Sequence, residues 1–345
     1  MSENRNNCSL MSERLGKVGG QAVLEGVMMK SKKRYTTAVR TPDGNIVRDT
    51  HPVTSVREKV KIFNLPIIRG VVNFVEMLKL SMSTLTFSAE AAGVEEQEET
   101  KFEKWLAKTF GASLVGVIAA VGMVLGVALS VCLFMWFPAV ISGFVGGFFE
   151  NILSDTALNA VRSVLEGLLK ITLFVLYVWG VSFMPDIKKT FQYHGAEHKS
   201  IFCYEAGLDL TVENVRRQKR LHPRCGTSFM IVMMIIGIVI SMFITWDNMF
   251  LRVILKLITL PLVVGLGYEF LMYAGRHDNA LIRMLSAPGL WLQNITTCEP
   301  DDSQIEVAIV ALKSALPEVF PEESVFENIK LPGVSETADT EDIDQ

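Results

Sequence analysis

The chain lacks a disulfide framework. Its five cysteines, Cys8, Cys132, Cys203, Cys225 and Cys298, fall at no paired spacing, which predicts reduced thiols on the cytoplasmic side of a membrane. No charged residue occurs from Gly111 to Phe149. About 20 apolar residues cross a bilayer, so this gap holds one full span plus an apolar loop or half-span around Pro138. The first residues are polar and contain no signal-peptide core, so the N-terminus is expected to stay where it is made. There is no internal repeat and no low-complexity run. No broken apolar helix recurs, and charge inside the apolar segments is scarce, which argues against a transporter.

What is present is apolar. Half of the 345 residues are hydrophobic, and the mean hydropathy is positive. The net charge of -4 hides a basic first part and an acidic tail. These features predict a mainly α-helical integral membrane protein with about four transmembrane helices, a small cytoplasmic N-terminal β unit and cytoplasmic helices. The spans are expected at about 112–137, 168–184, 227–246 and 251–273, the last interrupted by Pro261. Lys and Arg set the orientation. Residues 1–64 hold 12 of them and 185–226 hold eight, whereas Arg162 and Arg252 alone mark the alternate loops. Both termini and the 185–226 segment are therefore expected in the cytoplasm, in a multi-pass protein of the cell membrane.

In chain order, residues 1–14 read as a disordered N-terminus. Residues 15–52 read as the β unit. Tyr35–Arg40 and Ile46–Thr50 are strands around the Thr41-Pro42-Asp43-Gly44-Asn45 turn, and Gly19–Met29 is a buried strand or turn. Residues 53–110 hold a short helix at 54–63, an amphipathic helix at 66–91 and an acidic linker at 95–99. Arg69, Asn73, Glu76 and Lys79 form one stripe on that helix, so it is expected to lie against the bundle or in the interface rather than cross. Residues 111–273 form the membrane domain. In the cytoplasmic part at 274–320, Ser286-Ala287-Pro288-Gly289 reads as a break. Asp302 caps a helix whose apolar face is Ile305, Ala308, Ile309, Leu312 and Leu316. Residues 321–345 read as an acidic disordered tail.

The chemistry concentrates at Tyr193–Phe229. Asp186 as N-cap and Gly207 as C′ residue frame one helix over 187–206. On it His194 and His198 stand one turn apart, with Glu197 at the edge of their arc. Two histidines at i and i+4 can reach one metal ion, and the order His-x-x-Glu-His is the inverted zinc-peptidase pattern. Its glutamate, Glu197, is then the general base. Further ligands come from His222 or Cys225, with Glu25 and Glu269 as weaker choices. Glu205 lies about 16 Å from His194 along the axis, so it can only orient His198 or pair with a base. The bland reading is that these histidines cap helices or hydrogen-bond at the interface, and that Cys225 is a packing thiol. Cys225 also fits a nucleophile beside a histidine. Cys132, Cys203 and Cys298 read as small buried residues. Arg216, Arg217, Lys219 and Arg220 read as an anionic-lipid contact, not a nucleic-acid surface.

Four stretches carry a resemblance: Gly19–Met29, Tyr193–Lys199, His222–Phe229 and Ala287–Gln293. In one order, across roughly residues 15–320, they resemble the YqhQ-type bacterial membrane proteins, a domain of unknown function commonly labelled a predicted metal-dependent enzyme. The resemblance implies a membrane protein with a metal centre and no established substrate. Two functions from different classes are expected. In one, Zn²⁺ on His194 and His198 with His222 or Cys225, and Glu197 as base, makes a hydrolase at the cytoplasmic face. In the other, both His222 and Cys225 close the site, and the chain is a non-catalytic scaffold or assembly factor for protein insertion or envelope biogenesis, with a membrane-protein partner.

Overall fold

The computed structural model describes residues 14–93, 112–246, 248–274 and 279–321, with the side chains of 58–59, 112–120 and 281 left aside. The polar N-terminus, the acidic linker, His277 and the acidic tail lie outside the described residues.

Four strands form an antiparallel meander in the order β1 (Gly19–Val23), β2 (Gly26–Lys30), β3 (Arg34–Arg40) and β4 (Ile46–Pro52). The stretch expected to be a buried strand or turn is therefore a whole hairpin, with Val23 paired to Gly26. Its turn places Glu25 at φ 47, a left-handed conformation uncommon outside glycine and asparagine. Side chains alternate across the sheet. Ala38 joins a core with Val27 and Met29, while Val39 joins another with Val23, Val47 and Ala91. The sheet is thus covered on both faces.

Short turns at Val56–Lys59 and Lys61–Asn64 replace the single helix expected there. Helix α1 (Ile68–Ala91) follows and covers one sheet face through Phe87 and Ala91. Two residues of its polar stripe are spent on neighbours. Arg69 pairs with Glu269, and Glu76 accepts from Ser55 Oγ at 3.0 Å and the Val56 N–H at 2.9 Å.

Helix α2 (Ala112–Val131) runs through a π-helical turn at Cys132–Trp136 into α3 (Phe137–Gly147). Pro138, which has no N–H to donate, lies just beyond that turn. Cys132 faces outward and is exposed rather than buried, as the outer surface of an apolar helix would be against lipid; Cys203 is buried. Helix α4 (Asp155–Val181) starts well before the expected span. After α5 (Pro185–Glu205) and α6 (Val212–Arg216) come α7 (Gly226–Ser241) and α8 (Met249–Ala274). Pro261 does not interrupt α8. Among the described residues, Val121–Gly147, Asp155–Val181 and Met249–Ala274 are long and apolar enough to cross a membrane.

Helix α7 is apolar but shorter, 16 residues rather than the expected 227–246. At 1.5 Å per residue it is about 24 Å long, less than a bilayer core. Arg252 explains its end. This arginine is fully buried, not a loop residue, and donates to the carbonyls of Ile244 at 2.7 Å and Ser241 at 3.4 Å. It also lies 2.9 Å from Glu166 on α4, which pairs with Lys256 as well.

Helix α9 (Ala280–Thr296) passes straight through the expected break at Pro288. Gly289 is there for contact rather than for a turn, since a Cβ would stand 2.4 Å from the Ser228 Cα on α7. Helix α10 (Asp302–Ala315) is capped by Asp301, one residue before the expected cap, in a reciprocal capping box with Gln304. Its expected apolar face is buried, and so are Val307, Ala311 and Ala315. Both sides are covered because α10 and α5 pack side by side over the sheet, in one core with Tyr193, Ala196 and Ile201.

Candidate metal centre

Helix α5 begins with Pro185 at its first turn after Met184, so Asp186 lies inside the helix rather than at the cap. It ends before Gly207, whose φ of 73 makes the left-handed exit. The helix holds Glu197 and His198 buried, with His194 partly so.

Both imidazoles are oriented by backbone carbonyls from other segments. His194 Nδ1 donates to Thr296 O at 2.8 Å, and His198 Nδ1 donates to Arg220 O. A carbonyl only accepts, so each Nδ1 carries a proton, which leaves Nε2 as the ring nitrogen able to bind a metal. The two rings stand 4.4 Å apart between centroids. Cys225 is the N-cap of α7, and its sulfur lies 3.2 Å from His194 Nε2. It also receives the Thr227 N–H at 3.5 Å and the Thr227 hydroxyl at 3.3 Å. Ligand atoms of His194, His198 and Cys225 all lie within 4.8 Å of one another.

Glu197 faces the same point. Its Oε2 is 3.8 Å from His194 Nε2 and 3.9 Å from His198 Nε2. Burial pushes its carboxyl up to about 7, against the pull of His194 and the Gly20 N–H. Gly20 was not foreseen as a site residue. A Cβ there would meet Met28 O at 2.6 Å and Glu197 Cγ at 2.9 Å, so only glycine lets β1 pass this close.

His222 stands beside the cluster rather than in it, its ring 5.4 Å from that of His198. Its Nδ1 accepts from the Arg224 N–H at 3.3 Å. Its buried Nε2 points at Glu205, 3.8 Å away and too far for a hydrogen bond. Burial lowers the His222 pKa, with Glu205 opposing. Gln293 clamps the His222 backbone on both sides, accepting from its N–H at 2.7 Å and donating to its C=O at 2.8 Å. Burial would raise Glu205, but His222, the Gly16 N–H and Arg224 hold it below the usual carboxylate range. Arg224 Nη2 reaches Glu205 Oε2 at 2.6 Å.

The weaker candidates go elsewhere. Glu25 pairs with Lys189 at 2.8 Å and accepts from the Tyr193 hydroxyl at 3.4 Å, and Glu269 belongs to Arg69. In the basic run, Arg216 pairs with Asp302 and Arg217 with Glu213, while Arg220 holds Thr297 O at 2.6 Å. Arg220 therefore braces the centre twice, through its guanidinium and through the carbonyl that orients His198. No spacing rule marks a backbone carbonyl as a partner, so Thr296 and Arg220 carried no sequence signal for this role.

The family described as "Protein of unknown function (DUF1385)" matches residues 65–318. The chain is also similar to "Uncharacterized protein YqhQ" of Bacillus subtilis, with 37% identity over 304 residues that cover 86% of this chain and 92% of the relative. No solved structure matches.

Proposed function

We propose, from the premise that this chain belongs to the DUF1385 family, that it is a metal-dependent hydrolase working at the cytoplasmic face of the cell membrane. One observation carries this reading. His194 and His198 each spend Nδ1 on a backbone carbonyl, His194 Nε2 lies 3.2 Å from the sulfur of Cys225, and ligand atoms of all three residues lie within 4.8 Å of one another. Such outer bonds are the usual partners of metal-binding imidazoles. Zinc bonds are about 2.0–2.3 Å, so two donors on one tetrahedral ion stand about 3.3–3.8 Å apart. The 3.2 Å between His194 and Cys225 is close to that, and a two-imidazole, one-thiolate set suits Zn²⁺.

When bound, the ion supplies a Lewis acid that makes water a nucleophile at neutral pH. Glu197, beside both free nitrogens, takes the proton as the water oxygen bonds to the substrate centre. It then hands that proton to the leaving group, so the reaction is neutral overall. His222, turned toward Glu205, is a neighbour of the centre rather than a ligand. The topology we propose is four spans, α7 included, with both termini and the centre cytoplasmic. The Lys and Arg asymmetry supports it. Reporter fusions after Glu150 should read as external and one after Gln218 as internal; an external Gln218 would move the centre to the other side.

A second reading keeps the metal and drops the chemistry. Glu197 Oε2, 3.8 and 3.9 Å from the two nitrogens, is near enough to close the site as a fourth ligand. The centre then only staples α5 to the start of α7, as in a scaffold. Elemental analysis and complementation of a deletion strain, on the same variants, separate the two. His194→Ala, His198→Ala and Cys225→Ala should each lose most bound metal, and His222→Ala should keep it. The hydrolase expects Glu197→Gln to keep metal and fail to complement. Metal loss in Glu197→Gln favours the scaffold, and a metal-free wild-type protein removes both.

A further inference from the structure

The metal centre forms part of the wall of a cavity of about 610 Å³ between β1, β2, α1 and α5. Five cationic side chains line it: Lys17, Lys30, Lys32, Arg57 and Arg224. The acids there are Glu76 and Glu197. Each acid also has partners of its own. Glu197 faces the two imidazoles, and Glu76 is occupied by Ser55 and the Val56 N–H.

Among the described residues, the hydrogen bonds of Lys30 and Arg57 go to neutral partners. Lys30 Nζ donates to the thioether sulfur of Met77 at 3.4 Å, a weak acceptor for an ammonium. Arg57 donates to Ser55 Oγ at 3.3 Å and to the Tyr268 hydroxyl at 3.5 Å. Burial lowers the Lys30 pKa, Glu76 opposes this, and Arg57 adds to it. Cations outnumber acids in the lining of this cavity, so an anion that enters it gains from the excess positive charge.

Arg224 lines a second cavity as well, of about 630 Å³. This one is bounded by Phe229 and Val232 of α7, Phe270 and Leu271 of α8 and Leu290 of α9. It opens among apolar helices, and the ligand residues of the metal centre are not in its lining. A charged cavity beside one lined mostly by apolar side chains, with Arg224 in the wall of both, has the polarity of an amphiphile.

We propose that the centre's substrate is a phosphate-bearing amphiphile of the bilayer, its phosphoryl group held by Lys30 and Arg57 and its acyl chain lodged between α7, α8 and α9. This rests on the reading of the centre as catalytic, because it names that centre's substrate class. A phosphoryl group fits the planar fork of Arg57 and the point charge of Lys30.

The test is binding to the full-length protein in detergent, measured by calorimetry, with metal content recorded on the same samples. The probes are dioctanoyl phosphatidate, glycerol 3-phosphate and dioctanoylglycerol. Phosphatidate should bind at least tenfold more tightly than either of the others. The Lys30→Gln/Arg57→Gln double variant should weaken phosphatidate at least tenfold with metal unchanged. Val232→Trp, which fills the apolar cavity, should bring phosphatidate down to the level of glycerol 3-phosphate. Equal affinity for phosphatidate and glycerol 3-phosphate would overturn the amphiphile. Undiminished binding in the double variant would overturn the phosphate site. Loss of phosphatidate binding with full metal content would fail this proposal alone, whereas retained binding in a metal-free protein would fail the catalytic reading alone.

Discussion

The sulfur of Cys225 lies 3.2 Å from His194 Nε2, although 31 residues separate them in the chain. The contact exists because the segment that joins α5 to α7 is anchored at several points. Lys199 holds Arg216 O at 2.9 Å, the Arg220 carbonyl takes His198 Nδ1, and Gln293 clamps His222. The segment leaves Cys225 at the first turn of α7, facing the histidines.

Gly20→Ala tests the support of Glu197. The new methyl would stand 2.6 Å from Met28 O and 2.9 Å from Glu197 Cγ, so strand or carboxylate must move. Forcing a methyl into a packed site costs about 1–3 kcal/mol. A lower unfolding midpoint is expected, with loss of complementation while metal is retained. An unchanged midpoint together with full complementation would show that Glu197 does not depend on this approach.

Glu166→Gln tests the ion cluster between α4 and α8. Arg252 and Lys256 are both buried and share this one carboxylate, with Lys170 3.3 Å away as well. Removing one partner of a buried pair destabilises by about 3–5 kcal/mol. Glu166→Gln should lower the thermal midpoint of the detergent-solubilised protein far more than Arg217→Gln, whose pair with Glu213 is exposed. Equal effects would contradict a shared buried charge.

Glu205 predicts an acid limit to stability. Its folded pKa lies below the ordinary 4.5. A depressed carboxylate stabilises the fold fully above its unfolded value, and the contribution fades as pH falls through the folded value. The loss therefore falls below pH 4.5. Charged hydrogen bonds contribute about 1.5–3 kcal/mol. Thermal unfolding of Glu205→Gln should be lower than wild type at pH 7, and the gap should shrink as pH drops below 4.5. A gap independent of pH would contradict this.

The histidine helix was legible because i, i+4 spacing and the Gly207 exit are local signals. The β3–β4 hairpin was legible too, through alternation around Pro42-Asp43-Gly44. Where His222 and Cys225 point was not, because three residues separate them and long-range contacts turn His222 to Glu205 and Cys225 to His194. Gln293, 71 residues from His222, is one of those contacts. The β1–β2 turn was hidden because Leu24-Glu25 lacks the residues that mark tight turns. Gly289 misled for a related reason: a glycine that permits close helix packing looks like one that ends a helix.

The central claim is a zinc ion held by two imidazoles and one thiolate. X-ray absorption at the zinc edge, on wild-type protein purified without chelator, tests it most directly. One zinc per chain is expected, with a single sulfur at about 2.3 Å and nitrogen or oxygen neighbours at about 2.0–2.1 Å. Cys225→Ala should remove the sulfur shell. A protein free of metal, or a zinc site with no sulfur neighbour, would contradict the account.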